Sequence, residues 1–464
     1  MSAQSILDEL SARIGADRIE SGTRINPDDL HDESLHPRSA TPLAVVRPRS
    51  TSEVAEIARI ASLHRVPIVP RGSGTGLSGA VTPVADGLVV SFSEMNQVLH
   101  LNERDHVVVV QPGITLSQLD EVLSTTPLRY PVYPGEMSGS LGGNVNTNAG
   151  GMRAVRHGVT RQHVLGLELV LVDGTVLRTG GSFVKSSSGY DLTQLIVGSE
   201  GTLAMVTEVT LRLSPRFEHG ATLLVPFETL EAVAAVVPLI ISSGLNPSIL
   251  EYLDLLTMSA VTTRAGLDLG VDARVAASTT AYLVIVLETR TRSQLEEDIE
   301  ALATLLEGAG ALDTYVLATG VAHRLIEGRE RVFWASKEAG VNDILDIVVP
   351  RSVVPRFLAD VGLIAQRHGC LAGGCGHVGD GNVHLFVLQP DDVKRQAFLD
   401  EMFEHGVQLG GAVSGEHGIG IDKQRPFLRL SDPTSLALQR GIKKLFDPKA
   451  LLNPFRLLDD RVLP

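Results

Sequence analysis

The chain has 464 residues and a formal net charge of -14, from 54 acidic and 40 basic side chains. This length allows two or three domains, and the negative charge argues against nucleic acid or an anionic membrane as the main partner. The only two cysteines, Cys370 and Cys375, exclude a disulfide framework, and their spacing without a second pair is not that of a zinc or iron–sulfur set.

The N-terminal region shows no signal-peptide pattern. Residues 1–15 predict an amphipathic helix, and a polar connector extends to residue 40. The most apolar stretch, residues 230–245, is interrupted by Glu231 and Pro238 and falls short of a membrane span. We therefore expect a cytoplasmic protein without a transmembrane segment, and peripheral contact with a membrane stays open.

A glycine-rich loop follows the first predicted strands and helix. Residues 43–47 predict a strand, residues 52–65 a helix and residues 66–69 a second strand. Residues 70–79 then place four glycines in one loop. Because glycine lets the backbone turn sharply, the N–H groups of such a loop can converge on a phosphate. A simple tight turn is the alternative, and Pro83 excludes the helix that a Rossmann fingerprint requires.

A second glycine-rich run covers residues 134–151. It contains six glycines together with serine, threonine and asparagine side chains that can bind a large polar ligand at several points. A disordered linker is the alternative, but hydrophobic structure soon resumes. Residues 167–179 predict a hairpin that turns at Asp173 and Gly174, and a strand over residues 202–213 ends at Ser214 and Pro215, a natural domain boundary.

Residues 219–320 show two β-α-β halves, which predict a ferredoxin-like antiparallel sheet with helices on one face. One long helix over residues 322–339 is expected next, and it holds Trp334, the single tryptophan. A strand over residues 344–349 and a helix over residues 353–367 are expected to follow.

Residues 376–385 carry the most specific pattern in the chain. Asp380 and Gly381 have the composition of a two-residue hairpin turn, which would set His377 and His384 directly opposite each other. Two imidazoles at that separation can share a metal ion such as zinc with a carboxylate from elsewhere. Glu416 is the candidate ligand, and two structural histidines are the alternative.

These residue types suit the oxidation of a 2-hydroxy acid. A metal can bind both oxygens of the acid and lower the pKa of its hydroxyl group. A neutral histidine, for which His417 is the candidate, can then accept the hydroxyl proton. A flavin held by the two glycine loops would accept the hydride.

The motifs together resemble the flavin-dependent D-2-hydroxy acid dehydrogenases, which include glycolate oxidase flavin subunits, D-lactate dehydrogenases and D-2-hydroxyglutarate dehydrogenases. Seven motifs in the same order carry the resemblance, at residues 70–79, 134–151, 189–192, 198–202, 376–385, 414–420 and 452–454. The implied fold is α+β. A two-subdomain FAD-binding domain of the vanillyl-alcohol oxidase type is followed by a ferredoxin-like α+β cap domain.

The resemblance also implies roles for individual residues. His377, His384 and Glu416 correspond to ligands of a divalent metal, Zn or Mn, while Asn382 and His417 belong to the catalytic set. FAD would be non-covalent because no histidine lies in the first glycine loop. Its implied binding residues are Arg71, Gly72, Ser73, Gly74, Thr75, Gly76, Gly79, Pro134, Gly135, Ser138, Ser140, Gly142, Gly143, Asn144, Asn148, Gly150, Gly151, Glu200, Gly201 and Asn453.

The segment around Trp334 departs from the family pattern. In the family this segment often supplies a basic residue that binds the substrate carboxylate, and the candidates in this chain are Arg331 and Lys337. The neighbouring Val341 and Ile344 are apolar where a dicarboxylate would need polar groups. This favours a smaller or more apolar 2-hydroxy acid.

Four regions are expected: an N-terminal helix and connector (1–40), an FAD-binding domain (41–215), a cap with the substrate and metal sites (216–425) and a segment returning to the flavin (426–464). Two other functions stay open, a non-redox transferase like the flavin-containing ether-lipid synthases and a flavin subunit of an electron-transfer complex. The expected partners are a 2-hydroxy acid and an unidentified electron acceptor, with no nucleic acid, and a homodimer stays open.

Overall fold

We describe residues 2–38 and 40–459 of the protein from a computed structural model. Residues 1 and 39 of the expected N-terminal region and residues 460–464 of the expected C-terminal segment lie outside this description. Within the described chain, no helix is both long and apolar enough to cross a membrane.

A small four-stranded sheet presents the first glycine loop. Its strand order is β1-β2-β4-β3, and the pairs β2/β4 and β3/β4 are parallel. The strands are β1 (Ile19–Glu20), β2 (Ala44–Val46), β3 (Ile68–Arg71) and β4 (Leu88–Ser91), and the helices are α1 (Ala3–Ile14) and α2 (Thr51–His64). Ser50 caps α2, whose apolar face packs on the sheet in one core. The loop therefore leaves the end of a buried strand.

A five-stranded antiparallel sheet forms the second subdomain, in the order β5-β6-β10-β8-β9. Its strands are β5 (Val98–Asn102), β6 (Val107–Val110), β8 (Val164–Val170), β9 (Val176–Gly180) and β10 (Met205–Arg212), and β7 (Leu128–Arg129) pairs with β11 (Ser214–Pro215). The helices are α3 (Leu116–Leu123), α4 (Leu141–Thr147), α5 (Ala154–His157) and α6 (Leu192–Ile196). The second glycine run therefore contains a short helix, α4, that its glycines concealed in the sequence.

The cap is a seven-stranded antiparallel sheet in the order β15-β12-β14-β13-β17-β18-β16. Its strands are β12 (His219–Phe227), β13 (Ile249–Asp254), β14 (Ala281–Thr289), β15 (Tyr315–Val316), β16 (Asp343–Val348), β17 (Leu371–Gly376) and β18 (Asn382–Leu388). The helices of the cap and of the chain that follows it are α7 (Leu230–Ser242), α8 (Leu255–Ala265), α9 (Ala273–Ser278), α10 (Arg292–Gly308), α11 (Thr319–Glu330), α12 (Val332–Glu338), α13 (Val354–His368), α14 (Asp392–Gln408), α15 (Gln424–Leu430) and α16 (Pro433–Phe446).

Two predictions about the cap are wrong in detail. Helices cover both faces of the sheet, because α7, α10, α13 and α14 pack into one core while α8 and α11 pack into another on the opposite face. The single long helix over residues 322–339 is broken at Arg331, where α11 ends and α12 begins. The last part of the chain returns to the first sheet, where the Asn453 amide donates to the carbonyl of Ile68 at 2.7 Å.

Candidate active site

The two glycine loops and the histidine cluster line one cavity between the FAD-binding subdomains and the cap. Residues 72–77 and 134–150 contribute one wall, and the other wall comes from α11, α12 and the β17–β18 hairpin. The side chains that close it at the cap end are Arg329, Glu330, Val332, Phe333, Trp334, Ile344, Cys375, His377, His384, Phe386, Glu416 and His417. We call this space the main cavity.

Reciprocal hydrogen bonds hold the two glycine loops together. The Ser73 amide donates to the Ser140 hydroxyl at 3.1 Å, and the Ser140 amide donates to the Ser73 hydroxyl at 3.0 Å. Ser140 is also the N-cap of α4, where it accepts from the Gly143 amide. These hydrogen bonds fix the relative position of the two loops.

A smaller cavity adjoins the main cavity and shares Gly72, Gly143 and Thr147 with it. Asn144 Nδ2, on the main cavity, and Asn453 Oδ1, on the smaller one, are buried without a hydrogen-bond partner among the described residues. Buried polar atoms are normally satisfied, so these two amides indicate space for a polar ligand. The two joined cavities therefore fit an extended dinucleotide such as FAD.

The predicted FAD-binding residues divide by position. Those on the main or the smaller cavity are Arg71, Gly72, Ser73, Gly74, Thr75, Gly76, Pro134, Gly135, Ser140, Gly142, Gly143, Asn144, Gly150, Glu200, Gly201 and Asn453. Gly79, Ser138, Asn148 and Gly151 line neither of them. The guanidinium of Arg71 donates to the carbonyls of Asp28 and His31, so it fixes the loop from behind.

Replacing Gly72 with alanine is expected to lower the FAD content of the purified protein severalfold. A Cβ atom on Gly72 would overlap the Ser140 hydroxyl and break the link between the loops. The ratio of flavin to protein absorbance measures this loss. Gly362→Ala is the matched control, because a Cβ atom at this helical position meets nothing within 4 Å. Full FAD content in Gly72→Ala would contradict the role given to the loops.

The two histidines of the hairpin converge on one carboxylate. Nε2 of His377 lies 3.1 Å and Nε2 of His384 lies 3.4 Å from Glu416 Oε1, and the two ring centroids are 4.9 Å apart. Ligand atoms of all three side chains lie within 4.8 Å of one another. Two imidazoles and a carboxylate are a donor set that Zn²⁺ and similar cations prefer.

The predicted register of this hairpin is wrong. His384 pairs with Cys375 rather than with His377, because the connection spans residues 377–381 instead of two residues. Gly381, at φ +93°, packs against the carbonyl of Val349, and no side chain fits there. His377 therefore reaches His384 from within the turn.

The buried carboxylate of Glu251 orients His377. It contacts Nδ1 of His377 and forms an ion pair with Arg329, with Nε 2.9 Å from Oε2. A proton held on Nδ1 by a carboxylate leaves Nε2 free to bind a metal. Burial lowers the pKa of His377, but Glu251 and Glu416 outweigh burial and place that pKa well above its ordinary value.

The charge balance of the cluster favours a cation. Glu416 is nearly buried, and the rings of His377 and His384 are its ion-pair partners among the described residues. Burial raises the pKa of Glu416, but the two rings outweigh burial and hold it well below its usual range. A divalent metal at this position would provide the positive charge that a buried carboxylate needs and would leave the rings neutral.

Asp346 holds the loop that carries Glu416 and His417. Its fully buried Oδ2 accepts the amides of Gly415, Glu416 and His417 at 2.9–3.1 Å and pairs with Lys423 at 3.2 Å. Burial raises the pKa of Asp346, but His417, Lys423 and His384 outweigh burial and hold it well below its usual range. This carboxylate fixes Glu416 and His417 side by side.

His417 lies on the main cavity beside the metal-ligand candidates. Its ring stacks on His384 with a centroid separation of 5.1 Å and an interplanar angle of 13°. Burial, assisted by Lys423 and His384, lowers the pKa of His417 to about 4 despite the opposing effect of Asp346. The ring is neutral at neutral pH and is able to accept a proton.

The other predicted catalytic residues lie outside the main cavity. Arg331 is exposed and pairs with Glu327, while Lys337 pairs with Glu33 at 2.8 Å. Asn382 is buried beside Gly415, with Oδ1 lacking a partner in the described chain. Catalytic roles for these three residues stay predictions. No sequence pattern points to Glu251, Asp346 or Arg329, because each is a single charged residue without a local motif.

Two family descriptions match the chain. An FAD binding domain matches residues 42–180, and the C-terminal domain of FAD linked oxidases matches residues 216–457. Together they cover the two glycine loops and the histidine cluster.

Three relatives match almost end to end. An uncharacterized FAD-linked oxidoreductase of Mycobacterium tuberculosis is 48% identical over 97% of this chain and 98% of the relative. A glycolate oxidase subunit from Bacillus subtilis is 37% identical over 90% of this chain and 89% of the relative. A D-lactate dehydrogenase from Anaerostipes hadrus is 32% identical over 96% of this chain and 95% of the relative.

Two solved structures share the fold. p-Cresol methylhydroxylase superposes with a TM-score of 0.82 at 16% identity, covering 98% of this chain and 97% of the other. Alkyldihydroxyacetonephosphate synthase gives a TM-score of 0.76 at 17% identity, covering 100% of this chain and 86% of the other. The expected α+β fold of the vanillyl-alcohol oxidase type is thereby confirmed, and at this identity the two structures speak for the fold alone.

Proposed function

The chain belongs to the FAD-linked oxidases, the enzyme family of glycolate oxidase and D-lactate dehydrogenase, and we propose that it oxidises a D-2-hydroxy acid to the 2-oxo acid at a site holding non-covalent FAD and a divalent metal. One observation carries the proposal. His377, His384, Glu416 and His417 line the same cavity as the two glycine loops. A substrate there lies between the flavin site and the metal site.

Arg329 is our candidate for binding the substrate carboxylate. Among the described residues that line the main cavity, it is the only Lys or Arg. Its guanidinium is held by Glu251, which also contacts His377. A fork of N–H donors suits a planar carboxylate. The carboxylate and the adjacent hydroxyl group would then be oriented by one connected set, Arg329, Glu251 and His377.

His417 is our candidate for the general base. It is neutral, it lies on the cavity and it stacks against the ligand candidate His384. A divalent metal, Zn or Mn, when bound, polarises the hydroxyl group and lowers its pKa. His417 accepts the hydroxyl proton as the carbonyl forms at C2. FAD, when bound, takes the hydrogen and the two electrons that leave C2.

The wall of the cavity at the cap limits the substrate side chain. Phe333, Trp334, Ile344 and Phe386 present apolar surface beside the histidine cluster. A second carboxylate against this wall would lose its hydration without gaining a partner. The site therefore favours a short or apolar side chain over a dicarboxylic acid.

Anaerobic mixing with D- and L-2-hydroxy acids tests the proposal. We expect the flavin absorbance to bleach with a D-2-hydroxy acid that has a short or apolar side chain, such as D-lactate. The absorbance is expected to persist with the L-enantiomer of the same acid. No bleaching by any acid, in protein that contains both FAD and metal, would contradict the proposal. That result would favour the two alternative functions, a non-redox transferase or a flavin subunit of an electron-transfer complex.

A further inference from the structure

A second large space, which we call the lateral cavity, lies between the five-stranded sheet and the cap. Residues 129–133 and α3 line it on one side, and α11 with the strands β12, β13 and β14 lines it on the other. Arg153, which lies two residues after the second glycine run and directly before α5, also lines it. Nothing in the proposed chemistry uses this space.

Arg153 is the uncommitted cation of the lateral cavity. Its guanidinium has no ion pair and no hydrogen bond within the described chain, and its Nε atom is buried without a partner. It lies over the ring of Tyr133, 5.0 Å from the centroid. By contrast, Arg129 is bidentate to Glu288 at 2.7 and 2.8 Å, and Arg216 pairs with Asp120 at 2.9 Å. An unpaired guanidinium in such a space is suited to bind an anion.

Glu330 offers the complementary group. Its Oε1 atom is buried and lacks a hydrogen-bond partner among the described residues. The lateral cavity thus presents both an unused donor, on Arg153, and an unused acceptor, on Glu330. A molecule with a carboxylate and an adjacent hydroxyl group matches both, whereas a simple anion such as chloride matches only one.

The wall between the two cavities is thin. Glu330 lines both of them, and Tyr133 lines the lateral cavity while the next residues, Pro134 and Gly135, line the main cavity. Burial and a hydrogen bond to the Glu330 carboxylate raise the pKa of Tyr133, so this side chain is a neutral phenol that donates to Glu330. Arg329, the carboxylate-binding candidate of the main cavity, directly precedes Glu330. A molecule in the lateral cavity is therefore separated from the reactive cavity by two side chains, Tyr133 and Glu330.

We propose that the lateral cavity is a second binding site for a small 2-hydroxy acid, from which the acid passes into the main cavity when the hydrogen bond between Tyr133 and Glu330 opens. Arg153 binds the carboxylate and Glu330 accepts from the hydroxyl group. This inference rests on the proposed function for the identity of the acid. Arg153 is a positioning residue of the access route and takes no part in the chemistry.

Stopped-flow flavin reduction under anaerobic conditions gives the kinetic test. Arg153→Gln is expected to lower the second-order rate constant at low substrate by about tenfold, the smaller end of electrostatic steering effects, and to leave the limiting rate at saturation unchanged. Arg153→Lys keeps the charge and is expected to retain most of the rate. Arg292→Gln, which removes an exposed charge on α10, is the matched control. A lower limiting rate in Arg153→Gln, or no change at low substrate, would overturn the assignment.

Equilibrium binding decides the question even if no acid reduces the flavin. The probe is radiolabelled D-lactate, dialysed against the complete enzyme after its flavin has been reduced with dithionite, so that no oxidation takes place. Arg153→Gln is expected to bind one equivalent per chain fewer than the unchanged enzyme and Arg292→Gln. Equal binding by all three proteins, including no binding by any of them, would overturn the second site. Bleaching by a D-acid in the unchanged enzyme tests the proposed function separately.

Discussion

The His384→Ala variant is expected to lose its bound metal and at least about a thousandfold in flavin-reduction rate, while it retains FAD. His384 supplies one of three clustered ligand atoms, and its Nε2 atom lies 3.4 Å from Glu416. Metal catalysis of this kind contributes several kcal/mol to the transition state, and about 4 kcal/mol corresponds to a thousandfold in rate. FAD is expected to stay because the glycine loops that line its cavity are linked through Ser73 and Ser140, apart from this ring.

Elemental analysis, flavin absorbance and stopped-flow reduction of the same preparation measure the three parts of this prediction. His100→Ala is the matched control, because His100 is exposed on β5 in the other domain. A His384→Ala protein that still carries stoichiometric metal would remove His384 from the ligand set. Metal loss with an unchanged rate of flavin reduction would mean that the metal takes no part in the reaction.

The His417→Gln variant is expected to lose between about a hundredfold and ten-thousandfold in the limiting rate of flavin reduction, the usual contribution of a general base. Glutamine is close in length but cannot accept the hydroxyl proton at neutral pH. The metal and FAD are expected to stay bound, because the main-chain amide of residue 417 donates to Asp346 at 2.9 Å and the variant keeps this bond. Retained metal together with a lower rate would distinguish the role of a general base from that of a metal ligand.

His219→Gln provides the control for this variant, since His219 lies on β12 and lines neither the main nor the lateral cavity. Metal content and flavin content are measured beside the rate. A His417→Gln enzyme that reduces its flavin at the original rate would contradict the role of His417. Loss of metal from this variant would assign the ring to the metal site instead.

The metal-ligand candidates could be named from the sequence even though their geometry was predicted incorrectly. Asp380 and Gly381 have the composition of a two-residue turn, but the connection spans residues 377–381, with Gly381 packed against the carbonyl of Val349. His377 consequently lies in the turn, and the rings meet at 4.9 Å all the same. The prediction that these side chains lie close together holds despite the wrong register, because residues in a short motif stay near one another in space.

The residues that orient this cluster could not be found in the same way. Strands β13 and β16 flank the β17–β18 hairpin in the sheet, so Glu251 and Asp346 reach the histidines from either side. Their sequence positions are far from the hairpin, and a single acid in an apolar strand carries no local pattern. Only the order of strands in the sheet reveals them.

The choice of basic residue shows the same limit on a helix. Arg331 and Lys337 were predicted from their proximity to Trp334, but Arg329 is the residue that lines the main cavity. Residues two positions apart on a helix point to nearly opposite sides, so Arg329 faces the cavity while Arg331, at the break between α11 and α12, is exposed. Sequence spacing alone does not locate such a break.

The most direct test of the account is anaerobic flavin reduction by a D-2-hydroxy acid, measured in the same protein before chelation, after chelation and after the metal is restored. We predict bleaching that disappears when the metal is removed, with FAD still bound, and that returns when Zn²⁺ or Mn²⁺ is added back. Equally fast bleaching in fully metal-free protein would contradict the central claim, that the His377, His384 and Glu416 cluster acts on the substrate through a metal ion.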